Sequence, residues 1–197
     1  MNELGSVCVF CGAHAGNRPT YEEAAIALGH ELGRRRLGLV YGGGSIGLMG
    51  ALARAAQDAG SNVVGVVPAT LADREIMGDQ VGELIVVETM HERKAIMASL
   101  AETFIAMPGG FGTMDELFEM VTWGQIGIHN KPVGLLNTAG FYDGLLAWIE
   151  NAIEVEFIPA EYRDLLVVDP VPADLLEKLS RHVPPLGLVQ WMGVEVA

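Results

Sequence analysis

The sequence predicts an α/β fold in which helices cover both faces of one parallel sheet, the doubly wound arrangement. Short apolar runs rich in Val, Ile and Leu alternate with helical stretches along almost the whole chain. Strands that are apolar throughout are typical of parallel sheets buried on both faces. Two glycine-rich turns, each following a strand and preceding a helix, support the same fold.

The strand candidates are the short β-rich runs Val7–Cys11, Leu37–Tyr41, Asn62–Val67, Leu84–Val87, Thr103–Met107, Pro132–Leu136 and Leu165–Val168. The helix candidates lie between them, at Thr20–Arg36, Leu48–Ala59, Met90–Ala101, Thr113–Ile126, Tyr142–Glu154 and Ala173–Ser180. Ligands of such folds bind beyond the carboxyl ends of the strands, which is where both glycine turns fall.

Length and composition predict one globular domain. The chain has 197 residues, of which 50% are hydrophobic and 19% are charged. We expect this domain to span residues 1–183. Residues 184–197 (PPLGLVQWMGVEVA) are apolar but interrupted by Pro and Gly, so we predict a separate tail there.

The charge of the chain limits its partners. A net charge of −13 argues against nucleic acid, because binding to phosphate backbones requires Lys and Arg. No apolar run reaches the roughly 18 residues of a membrane span, and Met1–Gly5 lacks the basic start of a signal peptide. We therefore expect a cytoplasmic protein with no membrane contact, in which any phosphate is held locally by helix N-termini and a few cations.

The cysteines and histidines predict neither a metal site nor a redox centre. Cys8 and Cys11 spell C-x-x-C, but they lie on a strand candidate, where positions three apart face opposite sides. The five histidines show no ligand spacing. We expect both cysteines to pack in the core, and we expect no metal or other cofactor.

The first glycine turn, residues 42–47 (GGGSIG), matches the G-x-G-x-x-G pattern of dinucleotide sites. Such sites place an acidic residue at the end of the next strand to bind a ribose, and strand candidate Asn62–Val67 ends without one. The pattern therefore favours a phosphate or sugar contact of the mononucleotide type through Gly43, Gly44 and Ser45. A plain structural turn is the alternative.

The second glycine turn opens the segment Pro108–Glu116 (PGGFGTMDE). A helix N-terminus offers unpaired N–H groups and about half a positive charge to an anion. Gly109, Gly110 and Gly112 let the main chain approach a ligand without an intervening Cβ. The turn therefore predicts a phosphate site.

Two acidic residues, Asp115 and Glu116, lie within one turn of this predicted phosphate site. A carboxylate beside a phosphate suggests chemistry on a phosphorylated molecule. However, Thr113-x-x-Glu116 also spells a capping box, in which Glu116 only stabilises the helix. The residues alone leave both interpretations open.

Arg93 and Lys94 begin a helix candidate directly after a strand, on the same predicted ligand edge. Cations at a helix N-terminus oppose the helix dipole. This unfavourable placement indicates a functional role for the pair, and two solvated side chains on an exposed turn are the alternative.

Together these motifs resemble the LONELY GUY family of cytokinin-activating nucleotide phosphoribohydrolases. The resemblance runs from Val7 to about Asp169 and rests on CG at 11–12, VYGGG at 40–44, GLMG at 47–50, MHxRK at 90–94, PGGFGTMDE at 108–116, TW at 122–123 and HxKPVGLLN at 129–137. The family has serine after the Cys-Gly pair, whereas this chain has Ala13-His14, a departure that bears on substrate preference.

The resemblance implies a Rossmann-like homodimer that hydrolyses the N-glycosidic bond of N6-substituted adenosine 5′-monophosphates, and also AMP, to free base and ribose 5-phosphate. It implies catalytic roles for Arg93 and Glu116. The substrate-binding positions carried over are Glu75, Arg93, Lys94, Gly110, Phe111, Gly112, Thr113, Met114, Asp115, Glu116 and Thr122.

This chemistry agrees with the residue types. Glycoside hydrolysis passes through an oxocarbenium-like transition state, so we expect the carboxylate of Glu116 to stabilise that cation and to orient or deprotonate the water. Arg93 is expected to hydrogen-bond the departing purine. Lysine decarboxylation, a label also attached to this family, needs a Schiff-base lysine, and neither Lys94 nor Lys131 has a sequence setting that indicates one.

Two other functions stay open at this point. One is a nucleosidase for ordinary purine or pyrimidine monophosphates, with the same catalytic groups and another base pocket. The other is a non-catalytic nucleotide-binding protein, in which Glu116 only caps a helix.

Overall fold

A computed structural model describes residues 5–71 and 80–187 of the chain. Its sheet contains seven strands in the order β4-β3-β2-β1-β5-β6-β7, and each neighbouring pair is parallel. The strands are β1 (Ser6–Phe10), β2 (Gly38–Tyr41), β3 (Val63–Pro68), β4 (Glu83–Val87), β5 (Thr103–Ala106), β6 (Val133–Leu136) and β7 (Leu166–Asp169). The predicted α/β class and parallel sheet are confirmed.

The described α-helices are α1 (Pro19–Arg34), α2 (Gly47–Asp58), α3 (Met90–Leu100), α4 (Phe111–Ile126), α5 (Asp143–Glu154) and α6 (Pro172–Arg181). Short 3-10 turns occupy Thr138–Gly140 and Ala160–Leu165. None of the helices in the described ranges is long and apolar enough to cross a bilayer. The predicted boundary after residue 183 stays a prediction, because residues 188–197 lie outside those ranges.

Each face of the sheet carries its own hydrophobic core. Helices α1, α2 and α6 pack on one face, and α3 and α4 pack on the other. Cys11 belongs to the first core and Cys8 to the second, so the C-x-x-C residues face opposite sides as expected. The strand order reverses between β1 and β5, and the loops after these two strands therefore form the crevice in which such folds bind ligands.

The start of α4 differs from the prediction in a way that matters for function. The helix begins at Phe111, with Gly110 as the N-cap residue, so Thr113 lies inside the first turn. The capping box predicted for Thr113 and Glu116 is therefore wrong. Glycine at the cap allows this earlier start, because the loop needs no side-chain cap to turn into the helix.

A second T-x-x-E pattern, at Thr89 and Glu92, caps a helix instead. The Thr89 hydroxyl accepts a hydrogen bond of 3.1 Å from the backbone N–H of Glu92. The Glu92 carboxylate in turn accepts one of 2.9 Å from the N–H of Glu88. This cap fixes the first turn of α3, which positions Arg93 and Lys94.

Candidate active site

The side chain of Arg93 is buried and contacts three separate elements. Its Nε donates to the carbonyl of Val66 in β3 at 2.9 Å, and its Nη2 donates to the carbonyl of Gly42 after β2 at 3.0 Å. Its Nη1 lies 3.2 Å from Oε1 of Glu116. The residue is only 6% exposed, so the interpretation of Arg93 as a solvated side chain is wrong.

Glu116 supplies the carboxylate of this pair from helix α4. The residue is 8% exposed and lines a cleft together with Arg93. A buried charge is costly unless it is paired, and the guanidinium of Arg93 provides the pairing. Because Gly110 is the N-cap residue, Glu116 does not cap the helix, and it lines the cleft instead.

The first glycine turn packs against the protein instead of lining this cleft. A Cβ on Gly42 would overlap the guanidinium of Arg93, so glycine is required there for the arginine to reach the sheet. Gly43, which has a φ of +81°, and Gly44 are buried, and Ser45 is 6% exposed. None of Gly43, Gly44 and Ser45 is among the described residues that line the cleft. The hypothesis of a phosphate or sugar contact through them therefore lacks a geometric basis.

The second glycine turn does open into the cleft. Gly110, Gly112 and Thr113 line it, and the first-turn N–H groups of a helix have no intrahelical acceptor. A Cβ at Gly110 or Gly112 would meet no atom within 4 Å, and Gly110 has an ordinary φ of −101°. Glycine at 110 serves as the N-cap of α4 and also leaves space on the cleft side of the turn.

Gly109 has a different role from its neighbours. A Cβ at this position would overlap the hydroxyl of Thr113 and would lie 3.0 Å from the backbone nitrogen of Gly12. The N–H of Gly12 donates to the carbonyl of Pro108 at 3.0 Å. Gly109 therefore lets the loops after β1 and β5 touch, and this contact closes the base of the cleft.

The cleft has a volume of about 420 Å³ and lies between the loops after β1 and β5. Its walls include Ala13 and His14, the positions at which the sequence departs from the family serine. Four further lining residues come from elements in which no site residue is predicted from the sequence: Tyr21, Leu48, Met49 and Phe141. Leu48 and Met49 lie in the GLMG stretch, a sequence signal that could have identified them, whereas Tyr21 and Phe141 carry no such signal.

Lys94 of helix α3 is paired with two carboxylates of helix α4. Its Nζ is 3.0 Å from a carboxylate oxygen of Asp115 and 3.0 Å from one of Glu119, and the residue is 7% exposed. Burial lowers the pKa of Lys94, but the hydrogen bonds that its ammonium group donates to Glu119 and Asp115 outweigh burial and raise that pKa above its usual value. The ammonium group is therefore held as a cation.

The predicted substrate residues consequently fall into two groups, those that line the cleft and those that lie on the outer face of α4. Met114, Asp115 and Thr122 line a second depression of about 470 Å³, because helical rotation places them on the outer face of α4. Phe111, at the start of the same helix, is 98% exposed. Glu75 lies outside the described residues.

The two cysteines do not contribute a reactive group. Burial, with a smaller effect of the Glu116 charge, raises the pKa of the Cys8 and Cys11 thiols, so both remain neutral. Across residues 5–71 and 80–187, no group of three or more His, Cys, Asp or Glu side chains is placed to hold a metal ion.

The sequence of this chain is similar to a known family model and to named proteins of that family. A family model described as "Possible lysine decarboxylase" matches residues 49–179. Cytokinin riboside 5′-monophosphate phosphoribohydrolase LOG2 of Arabidopsis thaliana is 51% identical over 178 residues, which cover 90% of this chain and 84% of that protein. The LOG1 enzyme of the same name and organism is 52% identical over 178 residues, with the same coverage of 90% and 84%.

Solved structures show the same fold at much lower sequence identity. The molybdenum cofactor carrier protein of Chlamydomonas reinhardtii superposes with a TM-score of 0.69 and 21% identity, covering 91% of this chain and 98% of that one. The molybdenum cofactor binding protein of Rippkaea orientalis gives a TM-score of 0.66 at 22% identity, covering 89% and 96%. These similarities establish the Rossmann-like architecture alone.

Proposed function

This chain belongs to the family of cytokinin riboside 5′-monophosphate phosphoribohydrolases, and we propose that it hydrolyses the N-glycosidic bond of N6-substituted adenosine 5′-monophosphates. The products are the free base, a cytokinin, and ribose 5-phosphate, and AMP is a further substrate. The observation that carries this proposal is the buried Arg93–Glu116 pair on the wall of a cleft that the glycine-lined start of α4 also lines.

The start of α4 would hold the 5′-phosphate. First-turn N–H groups and the helix dipole attract an anion, and Gly110 and Gly112 leave space for it. The axial rise of a helix separates these amides from Glu116 by about 5–8 Å. This separation suits a nucleotide whose phosphate sits on the amides and whose anomeric carbon faces the Glu116 carboxylate.

Glu116 would stabilise the oxocarbenium-like transition state and take a proton from the attacking water. The water oxygen forms the new bond to the anomeric carbon as the C–N bond to the base breaks. The contact with Arg93 fixes the position of the Glu116 carboxylate on the wall of the cleft, which both roles require.

Arg93 would bind the departing purine. A guanidinium carries five N–H donors and does not lose its proton in proteins. Three are engaged by Val66, Gly42 and Glu116. The two remaining N–H groups can donate hydrogen bonds to the leaving base and stabilise the negative charge that develops on it. The three protein contacts keep the guanidinium rigid.

The remaining predicted substrate residues support a homodimer. Asp115 and Thr122 lie on the outer face of α4, away from Glu116. Beside them Phe111 is 98% exposed and Trp148 is 54% exposed, and exposed apolar side chains of this size are typical of interaction surfaces. We propose that this face packs beside the cleft of a second copy, so that each substrate contacts both protomers.

Mixing two inactive variants tests this arrangement. Glu116→Gln lacks the carboxylate, and Asp115→Arg alters the outer face. If sites are shared, heterodimers of the two contain one intact site and the mixture regains activity. A dimer whose mixture stays inactive contradicts the shared site, and a monomer by light scattering contradicts the dimer.

We also propose a cytoplasmic location and no nucleic-acid partner. Two unpaired cysteines in the core suit a reducing compartment. A net charge of −13 opposes binding to phosphate backbones.

The test of the proposed activity is release of free base. The protein is incubated with isopentenyladenosine 5′-monophosphate, AMP and CMP, and the products are separated by chromatography. We expect free isopentenyladenine and ribose 5-phosphate in equal amounts, with slower release from AMP. Equal rates on all three would indicate a general nucleosidase, and binding without release would indicate a nucleotide-binding protein.

A further inference from the structure

Two aromatic rings that the proposed mechanism does not use line one part of the cleft. Tyr21 of α1 and Phe141, which follows the 3-10 turn Thr138–Gly140, both belong to its lining. Their rings meet edge to face, with centroids 6.0 Å apart and an interplanar angle of 81°. Phe141 keeps 42% of its surface exposed, so its ring is a surface that a ligand can contact.

The Phe141 ring is anchored to the core by its neighbour Tyr142. The Tyr142 hydroxyl donates to the carbonyl of Met107 at 2.6 Å, and its backbone N–H donates to the Asn137 side chain at 2.7 Å. The rings of Phe141 and Tyr142 also pack edge to face at 5.0 Å. These contacts tie Phe141 to the strand that leads into the second glycine turn.

The Tyr21 ring rests on the loop after β1. Gly16 has a φ of +76°, and a Cβ there would lie 2.9 Å from Cδ2 of Tyr21. Glycine is therefore required at this position by both the backbone and the ring. The two rings thus join the loop after β1 to the loop after β6.

The order of the strands separates the element that carries Phe141 from the elements that Arg93 contacts. Arg93 contacts the ends of β2 and β3, whereas Phe141 follows β6. Three strand spacings separate β2 from β6 in the order β2-β1-β5-β6, a distance of about 14 Å. The start of α4 follows β5 and lies between them, so a phosphate bound there has Arg93 on one side and the rings on the other.

We propose that Tyr21 and Phe141 form an end wall that restricts this site to monophosphates, an inference that rests on the proposed function. A second phosphate would have to displace the rings, whose faces are electron-rich and repel anions. Arg93 is the only arginine or lysine among the described residues that line the cleft. An added phosphate at the aromatic end would therefore meet the rings without a compensating Lys or Arg from those residues.

The test compares isopentenyladenosine 5′-monophosphate with the corresponding 5′-diphosphate, whose hydrolysis gives free base and ribose 5-diphosphate. Removing a steric block typically changes discrimination by about tenfold or more. We therefore expect the ratio of kcat/KM for diphosphate over monophosphate to rise at least about tenfold in Phe141→Ala and Tyr21→Ala. Tyr21→Phe keeps the ring and should keep the wild-type ratio, which excludes a role of the hydroxyl.

A binding measurement makes the test independent of turnover and of folding defects. Calorimetric titration with inorganic phosphate and with pyrophosphate should show that wild type prefers phosphate and that Phe141→Ala gains affinity for pyrophosphate. Phe141→Leu, which retains an apolar side chain, should show a smaller gain if Phe141→Ala fails to fold.

Two results would contradict the proposal that Tyr21 and Phe141 form an end wall. One is an unchanged diphosphate ratio and unchanged pyrophosphate affinity in folded variants. The other is a loss of preference for the isopentenyl substrate over AMP, which would place the rings against the base. If wild type hydrolyses no monophosphate, the proposed function fails, and the pyrophosphate titration still decides on the wall.

Discussion

Arg93 and Glu116 form a buried ion pair that joins helix α3 to helix α4, with Nη1 3.2 Å from Oε1. The same guanidinium donates to carbonyls at the ends of two strands, so the carboxylate faces a partner with little freedom to move. This relationship connects the N-terminal parts of helices α3 and α4 with the carboxyl edge of the sheet. It places the only pair of opposite full charges among the described cleft-lining residues beside the second glycine turn.

Glu116→Gln should lower kcat by at least about 10²-fold, the range expected for loss of a catalytic carboxylate. The amide still accepts a hydrogen bond from Arg93, so nucleotide binding should persist. Single-turnover kinetics and substrate titration would measure both. Glu92→Gln is the matched control, because Glu92 occupies the other T-x-x-E pattern and caps a helix. Glutamine can accept the same backbone hydrogen bond in a capping box, so this variant should stay folded and leave kcat unchanged. Near-normal turnover in Glu116→Gln would contradict the mechanism.

Arg93→Ala should abolish activity and also destabilise the fold. Removal of the guanidinium breaks the buried ion pair with Glu116 and two hydrogen bonds to strand carbonyls, and breaking a buried ion pair typically costs about 3–5 kcal/mol. Urea unfolding would measure this loss. Arg163→Ala removes a similar ion pair, with Glu150, whose side chains are 51% and 55% exposed. That control should change stability little, because an exposed ion pair is screened by water, and it should leave activity intact. A similar loss in both variants would refute the special role of the buried pair.

Gly112→Ala should stabilise the protein and impair catalysis. Gly112 is the second residue of α4, its Cβ position is open, and replacing a helical glycine with alanine typically adds about 0.4–1 kcal/mol. The new methyl group would occupy the space assigned to the phosphate, so KM should rise. Gly144→Ala is a close match, since Gly144 is the second residue of α5 and also has open space. It should stabilise the protein with no kinetic effect, and equal kinetics in the two variants would show that the turn does not bind substrate.

Isopentenyladenosine should be essentially inert compared with its 5′-monophosphate. Charge-assisted hydrogen bonds contribute about 1.5–3 kcal/mol each, so two or three from the start of α4 control several decades of kcat/KM. Release of base from equal concentrations of the two compounds, without added metal, would measure the difference. Comparable rates would mean that the glycine turn does not recognise phosphate.

Asp169→Asn should reduce stability at neutral pH without reducing kcat. Burial raises the pKa of Asp169, but the ion pair with Lys178 and the N–H of Val171 outweigh it and lower that pKa below its usual value. A carboxylate with a lowered folded-state pKa stabilises the protein above its unfolded-state pKa, and this contribution is lost as the pH falls below about 4. Urea unfolding of both proteins at pH 7 and pH 3 should therefore show a smaller difference at pH 3. An equal difference at both values would contradict the assignment.

The amino-acid sequence by itself determined the fold and was enough to select Arg93 and Glu116 as the candidate reactive residues. Each predicted strand agrees with the structure to within one residue at either end, because an apolar run that is buried on both faces is a local property of the chain. The cations at the start of α3 were identified from their conflict with the helix dipole. These signals are local, and the structure of their surroundings was not needed to read them.

The tertiary structure alone decided which pattern serves which purpose. Two T-x-x-E patterns are equivalent in sequence, and only the cap at Gly110 shows that Glu116 is not a capping residue while Glu92 is. Likewise the first glycine turn resembles a nucleotide site, yet Gly42 is needed because Arg93 crosses it. Strand order and helix rotation determine which side chains meet across the cleft, and neither is encoded in local periodicity. The same holds for the meeting of Tyr21 with Phe141, which depends on the folding of β1 and β6 into one sheet.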